Sequence, residues 1–247
     1  ESLYTYEIGT TEIKPLLAAA LPAISDDGLT YTIPLREGVT FHDGEPFNAA
    51  AMKFSLDRFM ENKGKPSFLL GDIIENIEAT GEYELTITLK QPFAAFPALL
   101  AFAGASAVSP AAYEIGEGAF NPSQLVGTGP YKLTAFTSDT ITLDRNDDYW
   151  GETAKNAGVD IQIFNSNAAN LFNALQTGAV DIAYQSLEPE QVSNLLREAE
   201  SGEIQALEAE GTAVNFMVLN RNQAPLDQLE VRQAIAALLD RNLINER

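Results

Sequence analysis

The chain has 247 residues, enough for one large domain or two modest ones around a sizeable buried core. Hydrophobic residues make up 45% and charged residues 20%, the balance of a globular protein and not of a disordered tail. Fifteen basic residues against 35 acidic ones leave a net charge of -20, which repels phosphate backbones and anionic lipid, so no nucleic-acid partner is expected.

Leu29, Tyr31, Ile33 and Leu35 alternate with polar positions and predict a half-buried strand, with Pro34 placing it at an edge or an irregularity. Asn48 reads as a helix N-cap, and Met52, Leu56, Phe59 and Met60 recur on one face of the helix that follows. Gly64, Lys65 and Pro66 end it. Ile73 to Ala79, a turn at Gly81, and the strict alternation of Tyr83, Leu85, Ile87 and Leu89 predict a hairpin. Pro92 to Phe102 reads as a short buried helix, and Asn121 to Gly129 as a Gly/Pro loop. Tyr131 to Phe136 and Thr140 to Arg145 predict a second hairpin turning at Ser138 and Asp139. From Val159 onward the pattern is strand, helix (Asn167 to Gln176, with Gly178 as cap), strand (Val180 to Tyr184), helix (from Glu188-Pro189 to Gly202), strand (Val214 to Leu219), an α/β layer. Val231, Ile235, Leu238 and Leu239 mark a last helix, and the missing stop signal after it reads as a chain cut within a longer protein.

No catalytic constellation emerges. There is no cysteine, so no disulfide, thiolate nucleophile or thiolate metal site can form. The one histidine, His42, sits in Phe41-His42-Asp43-Gly44, which reads as a turn. Asp144 to Asp148 opens like a calcium loop, but Tyr149 and Lys155 stand where Gly and Glu are required. Gly127-Thr128-Gly129-Pro130 lacks the third glycine or the Gly-Lys-Ser/Thr ending of a phosphate cradle. No Gly-x-Ser-x-Gly elbow occurs, and no apolar run is long enough to span a membrane. No catalytic residue, metal site or cofactor is expected.

Segments in a fixed order carry a family resemblance. They are Asp26-Asp27-Gly28-Leu29-Thr30-Tyr31-Thr32 with Leu35-Arg36-Glu37-Gly38-Val39 and Phe41 to Pro46; Val126 to Tyr131 with Leu143 to Asn146 and Tyr149-Trp150; Ala174 to Gly178 with Asp181-Ile182; and Leu219-Asn220 with Ala224-Pro225-Leu226, Val231 to Ile235 and Asp240-Arg241. Together they resemble the family 5 extracytoplasmic solute-binding proteins that serve ABC importers for dipeptides, oligopeptides and nickel chelates. Ile33-Pro34 departs from the family, which has Phe and a variable residue there. Gly28, Gly38, Gly44 and Gly129 read as turn residues and Trp150 as a packing anchor.

The resemblance implies a periplasmic-binding-protein-like α/β clamshell of class II. It places a smaller subdomain of lobe one at residues 1–125, a sheet subdomain of lobe one at 126–212 and the start of lobe two at 213–247. It implies capture of a small molecule or short peptide between lobes, delivery to ABC permease subunits, a monomeric protein and a periplasmic or otherwise extracytoplasmic location. A binder of nickel chelates or other metal complexes and a solute sensor remain alternatives on the same fold. In nickel-chelate binders the segment matching Lys65-Pro66-Ser67-Phe68 carries an arginine and an aromatic facing the ligand, and a second arginine matches Ser106. Lys65, Phe68 and Ser106 are therefore the candidate ligand-binding residues. With Lys and Ser in place of two arginines, the planar carboxylate clamp is lost, which favours a peptide-like or other organic solute.

Overall fold

The computed structural model describes residues 1–116, 124–165, 167–184, 187–207 and 216–245. It divides into two units, Glu1–Ile163 and Phe164–Arg247.

The first unit opens with a hairpin of β1 (Tyr4–Tyr6) and β2 (Ile13–Pro15). Next come β3 (Ala23–Ile24), β4 (Thr30–Pro34), α1 (Ala49–Glu61), a 3-10 turn at Lys65–Ser67 and α2 (Phe68–Gly71). The hairpin of β5 (Ile74–Gly81) and β6 (Glu84–Leu89) follows, completing an antiparallel sheet of order β3-β4-β6-β5. In it Tyr31 faces Ile87 and Ile33 faces Leu85 across β4 and β6, while Thr30 faces Thr88 and Thr32 faces Thr86. The period-two pattern thus sends the apolar set to one side and a threonine ladder to the other. Pro34 closes β4 beyond the reach of the two-residue β3, and its carbonyl accepts the Ala19 N–H at 2.8 Å. β5 is one edge of the sheet, and its pairing with β6 slips between Ile74 and Asn76 and again between Ala79 and Gly81.

α1 packs against β5 and β6 through Ala49, Met52 and Leu56, all fully buried. Each large apolar side chain removed from water here contributes roughly 1.5–3 kcal/mol. The Asn48 side chain accepts the Ala51 N–H at 3.0 Å and starts the helix as expected. Ser55, on the same helix, ties it to the segment beyond the sheet. Its hydroxyl donates to Ala51 O at 2.8 Å and accepts the Val108 N–H at 2.9 Å. Ser55→Ala should cost about 2 kcal/mol in urea unfolding, because the Val108 amide is left without its partner. A change under about 0.5 kcal/mol would show that another acceptor takes over.

The sequence pattern of Pro92 to Phe102 resolves differently from a buried helix. Only α3 (Phe96–Leu99) is helical, a 3-10 turn follows at Ala103–Ala105, and Phe93 and Phe102 are each 38% exposed. Pro97 permits a single turn at its own helix start, and the carbonyls beyond it pair at short range: Phe102 N donates to Leu99 O and Ala105 N to Phe102 O.

β7 (Tyr131–Phe136), β8 (Thr140–Arg145) and β9 (Gly158–Gln162) form an antiparallel meander. The β7–β8 hairpin matches the expected one, with Thr137 N donating to Thr140 O across the turn. β9 joins β8 antiparallel, register Leu143 to Val159, and so does not open the expected α/β layer. The short connection from Asn146 to Ala157 returns the chain directly alongside β8, and a parallel partner would need a crossover.

The second unit holds α4 (Ala168–Gln176), α5 (Pro189–Ser201), α6 (Leu229–Leu238) and α7 (Arg241–Asn245). Asn167 caps α4 through the Asn170 N–H at 3.0 Å, and Gly178 lies at φ +70° behind it. Glu188 and Gln191 make a reciprocal capping box on α5, which ends at left-handed Gly202. The expected strand at Val180 to Tyr184 does not form; Ile182 and Tyr184 are each 81% exposed. Of the expected strand Val214 to Leu219, Val214 and Asn215 lie outside the described residues, and 216–219 are not a strand. No helix among the described residues is long and apolar enough to cross a membrane.

Tyr4 is fully buried and its hydroxyl donates to Ala20 O at 3.3 Å. Burial holds its phenol well above the ordinary value. A raised acid keeps the fold intact while neutral and drains stability once the unfolded chain ionises and the folded one does not. Urea midpoints should therefore fall as pH rises above about 10, and Tyr4→Phe should make that decline shallower.

Candidate functional site

Lys65 opens the 3-10 turn behind α1, with Pro66 fixing the backbone next to it. Its side chain is exposed and makes no ion pair among the described residues. Phe68 begins α2 and is 57% exposed, too much for a core side chain. Ser106 is half-buried in extended backbone just after the turn at Ala103–Ala105. No hydrogen bond joins the three residues among the described ones; their common neighbour is the end of α1. Phe59 of α1 stacks edge-on with Phe102 at 6.0 Å, while Met60 Cγ lies 4.0 Å from the point that a Cβ at Gly71 would occupy. Consecutive residues of α1 thus touch both segments that carry the candidates. The group supplies an exposed cation, exposed aromatic surface and a neutral hydroxyl, which suits an organic anion with apolar parts.

The remaining polar clusters serve the fold. His42 Nε2 lies 3.0 Å from Gly129 O, His42 Nδ1 lies 3.4 Å from Gly127 N, and His42 N donates to Gly127 O at 2.9 Å. The imidazole therefore ties the Phe41–Gly44 turn to the Gly127–Gly129 turn. Beside it, Ser109 donates to the Asp43 carboxylate at 2.5 Å. Gly28, Gly38 and Gly44 adopt left-handed φ as turn residues; Gly129 does not. The Glu1 carboxylate accepts from Tyr149 Oη at 2.6 Å, Trp150 Nε1 at 2.8 Å and Thr128 Oγ1 at 3.1 Å, and Arg36 stacks 4.5 Å over the Trp150 ring. Burial, then the Glu1 carboxylate, raises the Tyr149 phenol above its ordinary value. Asp147 and Asp148, in the sequence that opens like a calcium loop, are paired with Arg145 at 2.7 Å and Lys132 at 3.6 Å. In the second unit an open polar hollow is lined by Phe172, Gln176, Asn194, Arg197 and Glu198, with Gln176 donating to Glu198 at 3.1 Å. It is open to solvent, and within it Arg197 also donates to Asn194.

The fold is that of the periplasmic binding proteins of ABC transporters. The "ABC transporter-associated periplasmic binding protein DppA from Helicobacter pylori in complex with peptide STSA" superposes with a TM-score of 0.59 and 30% identity, over 72% of this chain and 39% of that one. The structure described as a "Nickel ABC transporter from Bacillus halodurans" superposes with a TM-score of 0.70 and 30% identity, over 99% of this chain and 48% of that one. In sequence, the "Glutathione-binding protein GsiB" of Escherichia coli O1:K1 is 35% identical over 236 residues, 93% of this chain and 44% of the relative. The model of the bacterial extracellular solute-binding proteins, family 5 (Middle), matches residues 12–247, and the chain belongs to that family. It spans less than half the length of the curated relative, so it represents part of the clamshell.

Proposed function

We propose that this protein is the substrate-binding component of an ABC importer, taking up a peptide-like organic solute outside the cytoplasm and passing it unchanged to permease subunits in the membrane. The observation that carries this reading is exposed Lys65, without an ion-pair partner among the described residues, set one short turn from exposed Phe68. A lone ammonium takes a single carboxylate, and the neighbouring ring takes apolar parts of the same solute. In this reading residues 1–125 and 126–212 are the two subdomains of lobe one and 213–247 begin lobe two. The protein acts as a monomer in the periplasm or an equivalent compartment, and the solute is enclosed when both lobes touch it.

A nickel chelate fits less well. The carboxylate fork that two arginines provide is replaced by the point charge of Lys65 and the neutral Ser106. The test is calorimetry on the longest natural polypeptide carrying this chain, against glutathione, di- and tripeptides, and nickel–histidine. Heat with the peptides, weakened about tenfold by Lys65→Ala, is the expected result. Heat with the nickel complex alone would overturn the reading.

A further inference from the structure

We propose that Phe102 is an additional ligand-contacting surface of this site, selecting solutes with an aromatic or thioether side chain, and that Gly104 is its positioning residue. The inference rests on the peptide-like reading above and extends it to specificity.

The root of Phe102 is fixed on both sides. Its N–H donates to Leu99 O at 3.1 Å, its carbonyl accepts the Ala105 N–H at 2.9 Å, and Ser106 N donates to Ala103 O at 3.2 Å. Its ring meets Phe59 of α1 at 68° between planes, the edge-on arrangement that aromatic pairs favour. Both rings lean over the backbone of Gly104. A Cβ there would stand 2.4 Å from Phe102 Cε1 and 2.7 Å from Phe59 Cε2. Gly104 does not have a left-handed φ, so backbone conformation does not call for glycine. What calls for it is the room the two rings occupy.

This arrangement orders a side chain whose surface is still 38% open. A single exposed phenylalanine is ordinary. One held by a paired ring, over a glycine whose added Cβ would meet both rings first, is placed. Phe102 lies four residues before Ser106, and through Phe59 it shares the end of α1 with the segment of Lys65 and Phe68. A solute whose carboxylate meets Lys65 can rest a ring or a sulfur on such a surface. Aromatic rings pair edge-to-face there, and a thioether packs at the ring edge.

The test is calorimetry on the longest natural polypeptide carrying this chain, with Gly-Phe-Gly, Gly-Met-Gly and Gly-Ala-Gly. The Phe and Met peptides should bind about tenfold more tightly than the Ala peptide. Phe102→Ala should bring the three within about twofold. Gly104→Ala should narrow the same ratio by displacing the ring. If circular dichroism shows that this variant does not fold, Phe102→Leu replaces it and should give an intermediate ratio, since bulk is kept and the ring is lost. Peptide binding with no preference in the natural protein, or a preference that survives Phe102→Ala, overturns the inference and leaves the peptide reading standing. No binding of any peptide, glutathione included, overturns both.

Discussion

Phe96→Ala should lower the stability of the first unit by about 4 kcal/mol, a fall in melting temperature of roughly 8–16 °C. Phe96 has no exposed surface, and its ring meets Tyr31 at 5.0 Å and 65°. Tyr31 is anchored at its far end, its hydroxyl donating to Phe93 O at 3.2 Å. The ring of Tyr31 therefore cannot collapse into the space that Phe96 vacates, and both the transfer energy and the cavity term are lost. Phe93→Ala, three residues away and 38% exposed, should cost under about 1 kcal/mol in the same denaturation series. Equal losses at both positions would mean that the sheet and the Phe96–Leu99 turn are not packed as described.

The second large effect is expected at Trp150. Trp150→Ala should cost about 3 kcal/mol, since it removes the packed indole, the stacked Arg36 and the Nε1 donor to Glu1 together. Trp150→Phe keeps a ring beside Tyr149 and loses the donor, so it should cost about half as much. Solute affinity per folded molecule should stay the same in both. Affinity that falls in step with the ring would make Trp150 a ligand platform instead of an anchor.

What the sequence discloses is tied to how local each signal is. Alternation at Tyr83 to Leu89 and at Thr140 to Arg145 places both hairpins, because partner and turn lie close by in the chain. Asn48, Asn167 and Glu188 announce helix starts because a cap is a contact with the next three residues. Val180 to Tyr184 carried the same alternation and yet is no strand. Periodicity shows that a face seeks cover; it does not supply the neighbouring strand whose amides complete a ladder. The same limit explains β9, whose alternation was correct and whose partner direction was not. At the candidate site, Lys65 and Phe68 were legible through the family resemblance. In sequence Phe102 reads as part of a buried helix, since Ala-rich surroundings hide a ring that the Ala103–Ala105 turn leaves partly uncovered. Gly104 offered no pattern at all, because its role depends on Phe59, far earlier in the chain.

The open rim of the four-stranded sheet bears on behaviour at high concentration. A long straight edge invites strand addition by another molecule and, repeated, fibre growth. β5 instead buckles near each end and carries exposed Glu75 and Glu78, in a chain already strongly acidic. A second copy approaching there meets amides out of step and carboxylates of its own sign. Straightening the rim while exchanging those glutamates for valine would turn a self-limiting border into an aggregation seed.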